Sequence, residues 1–394
     1  MENMNTQSDI VSYRESDSAT PLLVPFNDLS RQSNSLLYAI KEAVNRVIRS
    51  GWYLLGAELE AFEEEFAARC QVEDCVGLAN GTDALELGLR ALGISPGDQV
   101  ITVANAGLYS TTAIRACGAI PVFAEVDPHT LTLDPLSLAE RVTPATRGVI
   151  LTHLYGRMSH VAEIKAICET HNLPLIEDCA QAHGAAFQGQ PAGSWGTLGC
   201  YSFYPTKNLG ALGDAGAIVT NHAEIAERVR QLRQYGWTRK YEATIAGGRN
   251  SRMDELQAAV LRAKLPFLDE FNLKRGLIAQ TYRMYLDGCG LRLPPPARAG
   301  EMVYHLFVIR SARRDELRTF LERQGIGCQV HYPIPDHLQP ACQDLGYWRG
   351  TLPVTERACR EVLSLPCFPE MTMAEIERVC QVIGEFIHAS ASDA

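Results

Sequence analysis

A single lysine, Lys207, lies in a Gly-rich stretch between two apolar segments, within YSFYPTKNLGALGDAGAIVT at residues 201–220. The flanking segments are typical of buried strands, so the lysine is predicted to lie in a loop at the end of a sheet. In a pocket with little water, the charged form of a lysine is disfavoured and its nucleophilic amine is more available. Such an amine can bond to an aldehyde. A lysine that reaches solvent, or that pairs with Asp214, would give the same pattern.

Two acids follow each other in LPLIEDCAQAHGA, residues 173–185. Glu177 and Asp178 end a predicted buried strand, where a carboxylate costs several kcal/mol unless a cation or a hydrogen-bond donor meets it. Gln181 and His183 come directly afterwards and can point into the same crevice. Asp178 therefore either holds a protonated heterocyclic nitrogen or caps a turn.

A third polar stretch, NGTD at residues 80–83, follows a predicted strand and begins a predicted helix. Free backbone N–H groups at a helix start form an anion site that suits phosphate. An ordinary helix cap by Asn80 or Thr82 is the simpler interpretation of these residues alone. A fourth stretch, GGRNSRMDELQAA at residues 247–259, delivers Asn250 to another helix start.

The three chemical elements occur along the chain in the order anion cradle, buried acid, lysine. Pyridoxal 5'-phosphate needs all three: a phosphate site, a carboxylate at its pyridinium nitrogen and a lysine for its aldehyde. The acid keeps the ring nitrogen protonated, so that the ring can accept the electrons of a carbanion. The combination therefore predicts this cofactor, although none of the stretches predicts it alone.

The elements that position these residues alternate between strand and helix. From residue 75 to residue 184, apolar strands are followed by amphipathic helices, a pattern that predicts an α/β domain with a mostly parallel sheet covered by helices on both faces. Ligands bind beyond the carboxyl ends of strands in such sheets. A long helical pattern over residues 253–286 is interrupted by Pro266, which should bend or break it. From residue 302, the strands VYHLFVIR and GCQVHYP and two helices predict a compact α+β unit.

A chain of 394 residues is long enough for a large domain and a smaller one. We predict a disordered N-terminal tail at residues 1–22, a large cofactor-binding domain at 23–270 and a small C-terminal domain at 271–394. The predicted helix at residues 35–50 is assigned to the large domain, although it can also pack on the small domain.

Composition excludes several classes of protein. The net charge of −10 disfavours a nucleic-acid binder, which needs a concentrated basic face. There is no apolar run long enough for a membrane span, and the polar first twenty residues lack the features of a signal peptide. The twelve cysteines include no CxxC pair, which indicates reduced thiols in the core, a cytoplasmic protein and no metal site.

Five spaced segments resemble the DegT/DnrJ/EryC1/StrS sugar aminotransferase family, and they occur in the family's order. The resemblance runs from about Val24 to the last helix and implies the aspartate aminotransferase architecture, fold type I. The matching segments are NGTDAL, EDCAQAHGA, SFYPTKNLGALGDAGA, GRNSRMDELQAA and GIGCQVHYPIPDHLQ.

The resemblance implies a role for each of the polar residues in these segments. It implies that Lys207 bonds to the cofactor and transfers the proton, that Asp178 pairs with the pyridine nitrogen, and that Gln181 lies near the ring oxygen. Gly81, Thr82 and Ser202 are implied to bind the phosphate, and Asn250 to contact the cofactor phosphate of the neighbouring subunit. His331 and Tyr332 are implied to bind the substrate.

One segment departs from the family pattern. The aromatic residue that stacks on the cofactor ring often lies in a stretch such as NTYIAT, whereas residues 105–113 read NAGLYSTTA. Either Tyr109, displaced by one position, stacks on the ring, or Leu108 takes its place. The NAG-Y pattern and HLYGR at residues 153–157 resemble members that aminate C3 of a nucleotide-linked 6-deoxyhexose.

The resemblance thus implies an aminotransferase that converts a nucleotide-linked keto-6-deoxyhexose, a dTDP-3-keto sugar, with L-glutamate as amino donor, in a homodimer with shared active sites. Amination at C4 of a 4-keto nucleotide sugar and amination of a cyclitol ketone stay open as alternatives. Dehydratases of the family have a histidine in place of the lysine, and Lys207 argues against that activity. A cofactor-binding regulator would need a DNA-binding module, for which the polar N-terminus is too short.

Overall fold

Helices and strands alternate along residues 22–392, the part of the chain that the computed structural model describes. The predicted tail lies almost entirely outside these residues. The strands are β1 Asp74–Leu78, β2 Gln99–Val103, β3 Ile120–Ala124, β4 Thr146–Thr152, β5 Leu175–Asp178, β6 Ala186–Phe187, β7 Gln190–Pro191, β8 Leu198–Ser202, β9 Gly216–Thr220, β10 Trp237–Arg239, β11 Glu242–Ala243, β12 Phe307–Arg310 and β13 Val362–Leu365. The helices are α1 Leu29–Ser35, α2 Leu37–Ser50, α3 Ala57–Cys70, α4 Gly81–Ala91, α5 Tyr109–Ala116, α6 Pro135–Arg141, α7 Val161–Thr170, α8 Ala223–Leu232, α9 Glu255–Lys264, α10 Leu268–Leu286, α11 Arg314–Arg323, α12 Pro353–Glu361 and α13 Met373–Ser392.

Seven strands form one sheet in the order β1-β9-β8-β5-β4-β2-β3. Strands β2, β3, β4, β5 and β8 pair in parallel, and β9 runs antiparallel to both of its neighbours. The predicted mostly parallel sheet is confirmed.

Successive residues of the central strands enter two different hydrophobic cores. In β4, Val149 and Leu151 belong to the core beneath α3, α6 and α7, whereas Ile150 belongs to the core beneath α4, α5 and α8. The two-residue period of a strand produces this division when both faces of a sheet are covered. Burial on both faces explains why the strands are apolar throughout.

The register of the sheet brings the polar strand ends together. Thr152 of β4 lies opposite Asp178 of β5, and Asp178 lies opposite Cys200 of β8. Because these three strands are parallel, their carboxyl ends meet at one edge of the sheet, next to Ser202. That edge is the place where the sequence predicts the site.

The C-terminal part of the chain has its own core. Strands β12 and β13 pair antiparallel and pack with α10, α11 and α13 around large buried side chains. The predicted strand GCQVHYP is wrong. Its residues bond to two different partners: Gly327 donates its N–H to the Val24 carbonyl, and Gln329 exchanges two backbone hydrogen bonds with Ser364. Pro333 then removes an N–H group that a strand would need.

Pro266 interrupts the long helical pattern as predicted. Helix α9 ends at Lys264, a 3₁₀ turn covers Leu265–Phe267, and α10 begins at Leu268. The proposed domain division at residue 270 stays a prediction.

The N-terminal helices contact both parts of the chain. Ala43 and Val47 of α2 pack against Ala259 of α9, and Arg31 of α1 forms an ion pair of 2.8 Å with Glu375 of α13. Among residues 22–392, none of the helices has the length and apolar character that crossing a membrane requires.

Candidate active site

A cavity of about 810 Å³ opens at the carboxyl edge of the sheet, between the large sheet and the C-terminal part of the chain. It is large enough for a cofactor and part of a substrate. All but one of the residues predicted for the site line it, namely Gly81, Thr82, Tyr109, Asp178, Gln181, Ser202, Lys207, His331 and Tyr332. The exception is Asn250, which is exposed and lies away from the cavity.

The start of α4 forms a concave backbone surface in the cavity. The Asn80 side chain caps the helix by accepting the Asp83 N–H at 2.8 Å, as the simpler interpretation predicts. The N–H groups of Gly81 and Thr82 have no acceptor among the described residues. A Cβ atom at Gly81 would lie 2.6 Å from the Ser202 Cβ atom and would fill the space. The cap and the anion cradle therefore coexist, and glycine keeps the cradle open.

Asp178 points into the cavity from the end of β5. Its carboxylate accepts the Ala180 N–H at 3.1 Å and the Thr152 hydroxyl at 3.4 Å. Burial raises the pKa of Asp178, and the nearby Lys207 partly opposes that effect. An acid with only two uncharged donors, one of them distant, is available to a cationic ring nitrogen.

The neighbouring acid, Glu177, points to the other side of the sheet. Its two oxygens accept N–H groups of Gly193, Trp195 and Gly196 at 2.7–2.9 Å, and the His153 Nε2–H at 2.8 Å. These four donors occupy the carboxylate fully, so Glu177 is a structural residue.

Glu177, His153 and Cys179 also approach one another closely enough to be considered as metal ligands. The His153 Nδ1 atom accepts the Ser159 N–H at 3.1 Å, so its Nε2 atom carries the proton that Glu177 accepts. The imidazole has no free nitrogen and the carboxylate has no free oxygen for a metal ion.

Lys207 lies in the loop between β8 and β9, with its backbone N–H donated to the Tyr204 carbonyl at 2.8 Å. Within residues 22–392 its amine forms no hydrogen bond and no ion pair, and Asp214 does not pair with it. Burial lowers the pKa of Lys207 to about 8, and the Asp178 carboxylate raises it in the opposite direction. A substantial fraction of the amine is therefore neutral near physiological pH, as a nucleophile requires.

Gln181 and two tyrosines form the wall beside these groups. The Gln181 side-chain oxygen accepts the Tyr155 N–H at 2.6 Å, and its amide nitrogen donates to the Tyr332 hydroxyl at 3.3 Å. The Tyr109 ring lines the cavity at 6.2 Å from the Tyr332 ring, centroid to centroid, whereas Leu108 is absent from the lining. Of the two predicted stacking residues, Tyr109 is the one that lines the cavity, and its stacking on the cofactor stays a prediction.

His331 lies at the side of the cavity formed by the C-terminal part. Its Nδ1 atom lies 2.9 Å from the Ser364 hydroxyl, and its ring stacks on Phe26 at 5.8 Å. Burial and, to a lesser degree, the charge of Lys207 lower the pKa of His331 to about 4, so the ring is neutral at pH 7. A neutral imidazole can stack or form hydrogen bonds with a neutral substrate group.

His183 does not reach the cavity, contrary to the sequence interpretation. It is fully buried between Tyr201 and Phe203, and burial lowers its pKa to about 3. The centroid of its ring lies 5.3 Å from that of Tyr201 and 5.5 Å from that of Phe203, so the side chain belongs to the core rather than to the crevice.

Sequence reasoning missed His305, which lines the cavity from the segment before β12. Its Nδ1 atom lies 3.1 Å from the Asn208 side-chain oxygen, and the Asn208 amide donates to the Val303 carbonyl at 3.0 Å. Asn208 directly follows Lys207, so this network fixes the lysine loop against the C-terminal part of the chain. The only signal in the sequence is a histidine within an otherwise apolar strand, VYHLFVIR.

These residues fit pyridoxal 5'-phosphate. The glycine-lined helix start would hold the phosphate, the incompletely satisfied Asp178 would hold the ring nitrogen, and the Lys207 amine would meet the aldehyde. Within residues 22–392, each of these groups is without a strong partner.

Comparisons with known proteins agree with this chemistry. The chain is 44% identical over 364 residues to a dTDP-3-amino-3,4,6-trideoxy-alpha-D-glucose transaminase of Streptomyces venezuelae, covering 92% of this chain and 96% of the relative. It is also 44% identical to a dTDP-3-amino-3,6-dideoxy-alpha-D-galactopyranose transaminase of Aneurinibacillus thermoaerophilus, with 92% and 99% covered. The crystal structure of S. venezuelae DesV in complex with a ketimine intermediate superimposes with a TM-score of 0.91 at 44% identity, covering 93% of this chain and 99% of that one.

The predicted fold type, the aminotransferase activity and the pyridoxal 5'-phosphate cofactor are confirmed at the level of the family. Residues 35–384 match the family model. The chain belongs to the DegT/DnrJ/EryC1/StrS aminotransferase family.

Proposed function

We propose that the protein transfers an amino group from L-glutamate to C3 of a dTDP-linked 3-keto-6-deoxyhexose. The observation that carries this proposal is the convergence of Asp178 and Lys207, with the open cradle at Gly81, on one cavity of about 810 Å³. Two relatives at 44% identity are transaminases whose names place the amino group on C3 of a dTDP sugar, which supports the same position here.

The bound cofactor supplies an electron sink for the negative charge that develops when a C–H bond next to nitrogen is broken. The residues of the chain hold it and move the proton. The Lys207 Nζ atom, whose pKa near 8 allows both protonation states, takes the α-proton from glutamate. In the second half of the reaction, the same atom returns a proton to complete the transfer to the sugar carbon.

The other residues orient this exchange. The N–H groups of Gly81 and Thr82 and the Ser202 hydroxyl would bind the phosphate, and Asp178 would keep the ring nitrogen protonated. Tyr109 would cover one face of the ring. These contacts would hold the cofactor in one orientation beside the Lys207 amine, so that the amine can reach the proton it removes.

His331 and Tyr332 are proposed to bind the sugar side of the substrate. Both line the cavity, and the neutral His331 ring can accept or donate a hydrogen bond without adding charge. Tyr332 also holds Gln181, so the substrate wall and the cofactor wall are connected.

The test is an amination assay with a panel of substrates. The purified protein is incubated with L-glutamate and separate 3-keto sugars, 4-keto sugars and a cyclitol ketone, and the new C–N bond is located by NMR. We expect amination at C3 of a dTDP-3-keto-6-deoxyhexose. Amination only at C4, or only of the cyclitol, would replace the proposed substrate with one of the two alternatives.

We also propose that the protein is a homodimer in which Asn250 of each chain contacts the cofactor phosphate of the other. Asn250 is exposed and lies outside the cavity of its own chain, although the family resemblance gives it a phosphate contact. A symmetric dimer would make two such sites at once.

Mixed dimers test the shared site. A Lys207→Ala chain and a chain with Asn250→Asp, which opposes the phosphate by charge, should each be inactive as homodimers. In the heterodimer, one site has both defects and the other has neither, so activity should return to about one working site per dimer. A heterodimer that forms and stays inactive would show that Asn250 acts within its own chain.

The predicted cytoplasmic location is retained as a proposal. All twelve cysteines are unpaired, and eleven of them are buried, as expected for a protein from a reducing compartment.

A further inference from the structure

A buried acid, Asp336, touches the start of the helix that carries Tyr109. Its side chain is 2% exposed. One carboxylate oxygen accepts the Leu108 N–H at 3.1 Å, and the other accepts the Thr111 hydroxyl at 2.6 Å. No side chain of α5 itself caps this helix start. Asp336 therefore ties the residue before the helix to the first helical turn, from a segment more than two hundred residues later in the chain.

The backbone that Asp336 holds is a strained turn. Leu108 has a φ angle of 69° and Gly107 a φ angle of 80°, directly before Tyr109. The left-handed conformation is unfavourable for leucine and persists where surrounding contacts enforce it. The hydrogen bond from the Leu108 N–H to Asp336 is such a contact.

This turn determines where the Tyr109 ring lies. A Cβ atom at Gly107 would lie 2.8 Å from the Tyr332 Cε1 atom and 3.1 Å from the Tyr109 Cε2 atom, so both rings pack closely on the glycine. Tyr109 reaches the cavity although its position in the sequence is displaced from the family pattern. The two consecutive left-handed residues, Gly107 and Leu108, directly precede it.

The same acid fixes the substrate side of the cavity. The Asp336 backbone N–H donates to the Ala104 carbonyl at 2.7 Å, at the end of β2. Its segment also carries His331 and Tyr332. Through its side chain Asp336 holds the turn before Tyr109, and through its backbone it holds the segment that carries His331 and Tyr332. It thus connects the proposed stacking residue to the proposed sugar-binding residues.

Burying the Asp336 carboxylate costs free energy, which argues that its hydrogen bonds to the turn are needed. Burial raises the pKa of Asp336 to about 7, although its two hydrogen bonds lower it. An apolar residue would avoid this cost if filling space were the only requirement.

We propose that Asp336 is a positioning residue for the reaction. It holds the turn at residues 107–108 so that Tyr109 covers the cofactor ring, and it links that contact to the segment that binds the sugar. The inference rests on the proposed function, because it assumes that Tyr109 stacks on the cofactor.

The test compares Asp336→Ala with Asp336→Asn and with a control, Asp344→Ala. Alanine removes both acceptors. Asparagine can still accept the Leu108 N–H and can donate its amide to the Thr111 oxygen. Asp344 joins the same C-terminal segment to α5 through an exposed ion pair with Arg115 at 3.0 Å, so it controls for a general loss of contact between the two.

The readouts are the dissociation constant of pyridoxal 5'-phosphate from the apo-protein and the circular dichroism of the bound cofactor, neither of which needs a sugar. We expect Asp336→Ala to weaken cofactor binding about tenfold and to change the cofactor's dichroism, since two hydrogen bonds are lost. Asp336→Asn and Asp344→Ala should resemble the native protein. Failure to aminate any sugar would leave this result intact, so the two proposals fail separately.

A double-mutant comparison separates positioning from simple stabilisation. In a Tyr109→Ala background, Asp336→Ala should cause no further loss of cofactor affinity, because the residue that it positions is absent. Full additivity, or native affinity and dichroism in folded Asp336→Ala, would overturn the proposal. If Asp336→Ala does not fold, Thr111→Val can replace it, because this substitution removes one of the two hydrogen bonds to Asp336. We expect Thr111→Val to cause a smaller loss of cofactor affinity, and no loss in the Tyr109→Ala background.

Discussion

Two consecutive acids at the end of β5 have opposite environments. Glu177 accepts four hydrogen bonds on the closed side of the sheet, while Asp178 accepts two, one of them at 3.4 Å, on the side that faces the cavity. Both are almost completely buried. The difference shows that burial alone does not identify a functional acid, and that the unused hydrogen-bonding capacity of Asp178 does.

The lysines show the same contrast. Burial lowers the pKa of both Lys207 and Lys264 to about 8. Lys264 donates to the Gly210 carbonyl at 2.8 Å and to the Gln32 side chain at 3.3 Å, whereas the Lys207 amine has no partner among the described residues. In both pairs, the structural residue has its hydrogen bonds satisfied by the protein, whereas the residue that faces the cavity has unused hydrogen-bonding capacity.

Lys207→Ala should give the largest effect, because it removes the group that moves the proton. We expect turnover to fall by at least about a thousandfold. The cofactor should still bind through the α4 cradle, and the free energy of unfolding should not decrease, since the lost amine has no partner. Steady-state kinetics, cofactor retention and denaturant unfolding provide the measurements. Substantial turnover in this variant would contradict the mechanism.

Asp178→Asn should reduce the rate by about a hundredfold while leaving the fold intact. The amide is nearly the same size but cannot stabilise a positively charged ring nitrogen. Single-turnover rates and thermal melts measured on the same sample distinguish a loss of catalysis from a loss of stability. An Asp178→Asn protein that unfolds early but reacts at the native rate would place Asp178 among the structural residues.

Glu177→Gln should show the reverse pattern. In the native protein the carboxylate oxygens accept N–H groups, whereas the amide nitrogen of the variant would face one pair of these donors without being able to accept. We therefore expect the free energy of unfolding to decrease by about 3 kcal/mol. Turnover per folded molecule should stay close to native. Denaturant unfolding and active-site titration measure the two quantities, and a stable but inactive variant would reverse the assignment of the two acids.

The smallest expected effect is a shift in pH dependence. Covalent capture of the cofactor by apo-protein needs the neutral Lys207 amine, so its rate should rise with pH around a midpoint near 8 and level off above it. The Asp178 carboxylate raises the Lys207 pKa, so Asp178→Asn should move the midpoint to lower pH. Stopped-flow absorbance measures the profile, and an upward shift would contradict the proposed electrostatic contact.

The sequence predicts the sheet, the break at Pro266 and most of the cavity because these depend on local patterns. Apolar strands followed by amphipathic helices, a proline within a helix and glycine at a helix start act over a few residues. The family resemblance then assigns roles that the residues alone leave open, such as whether Asp178 holds a ring nitrogen or caps a turn.

Other features depend on contacts between distant residues and were not predicted. The direction of the His183 side chain, the network of His305 with Asn208, and the turn that Asp336 holds all arise from packing across the cavity. The failed strand prediction at residues 327–333 has the same origin, because that segment bonds to two separate partners.

The central claim is that Lys207, and not the more deeply buried Lys264, bonds to the cofactor. Borohydride reduction of the holoenzyme, followed by peptide mapping, tests it directly because reduction makes the bond permanent. The account predicts that the modified lysine is Lys207, and that the Lys207→Ala protein gives no modified peptide. A modification on Lys264, or on any other lysine of the native protein, would contradict it.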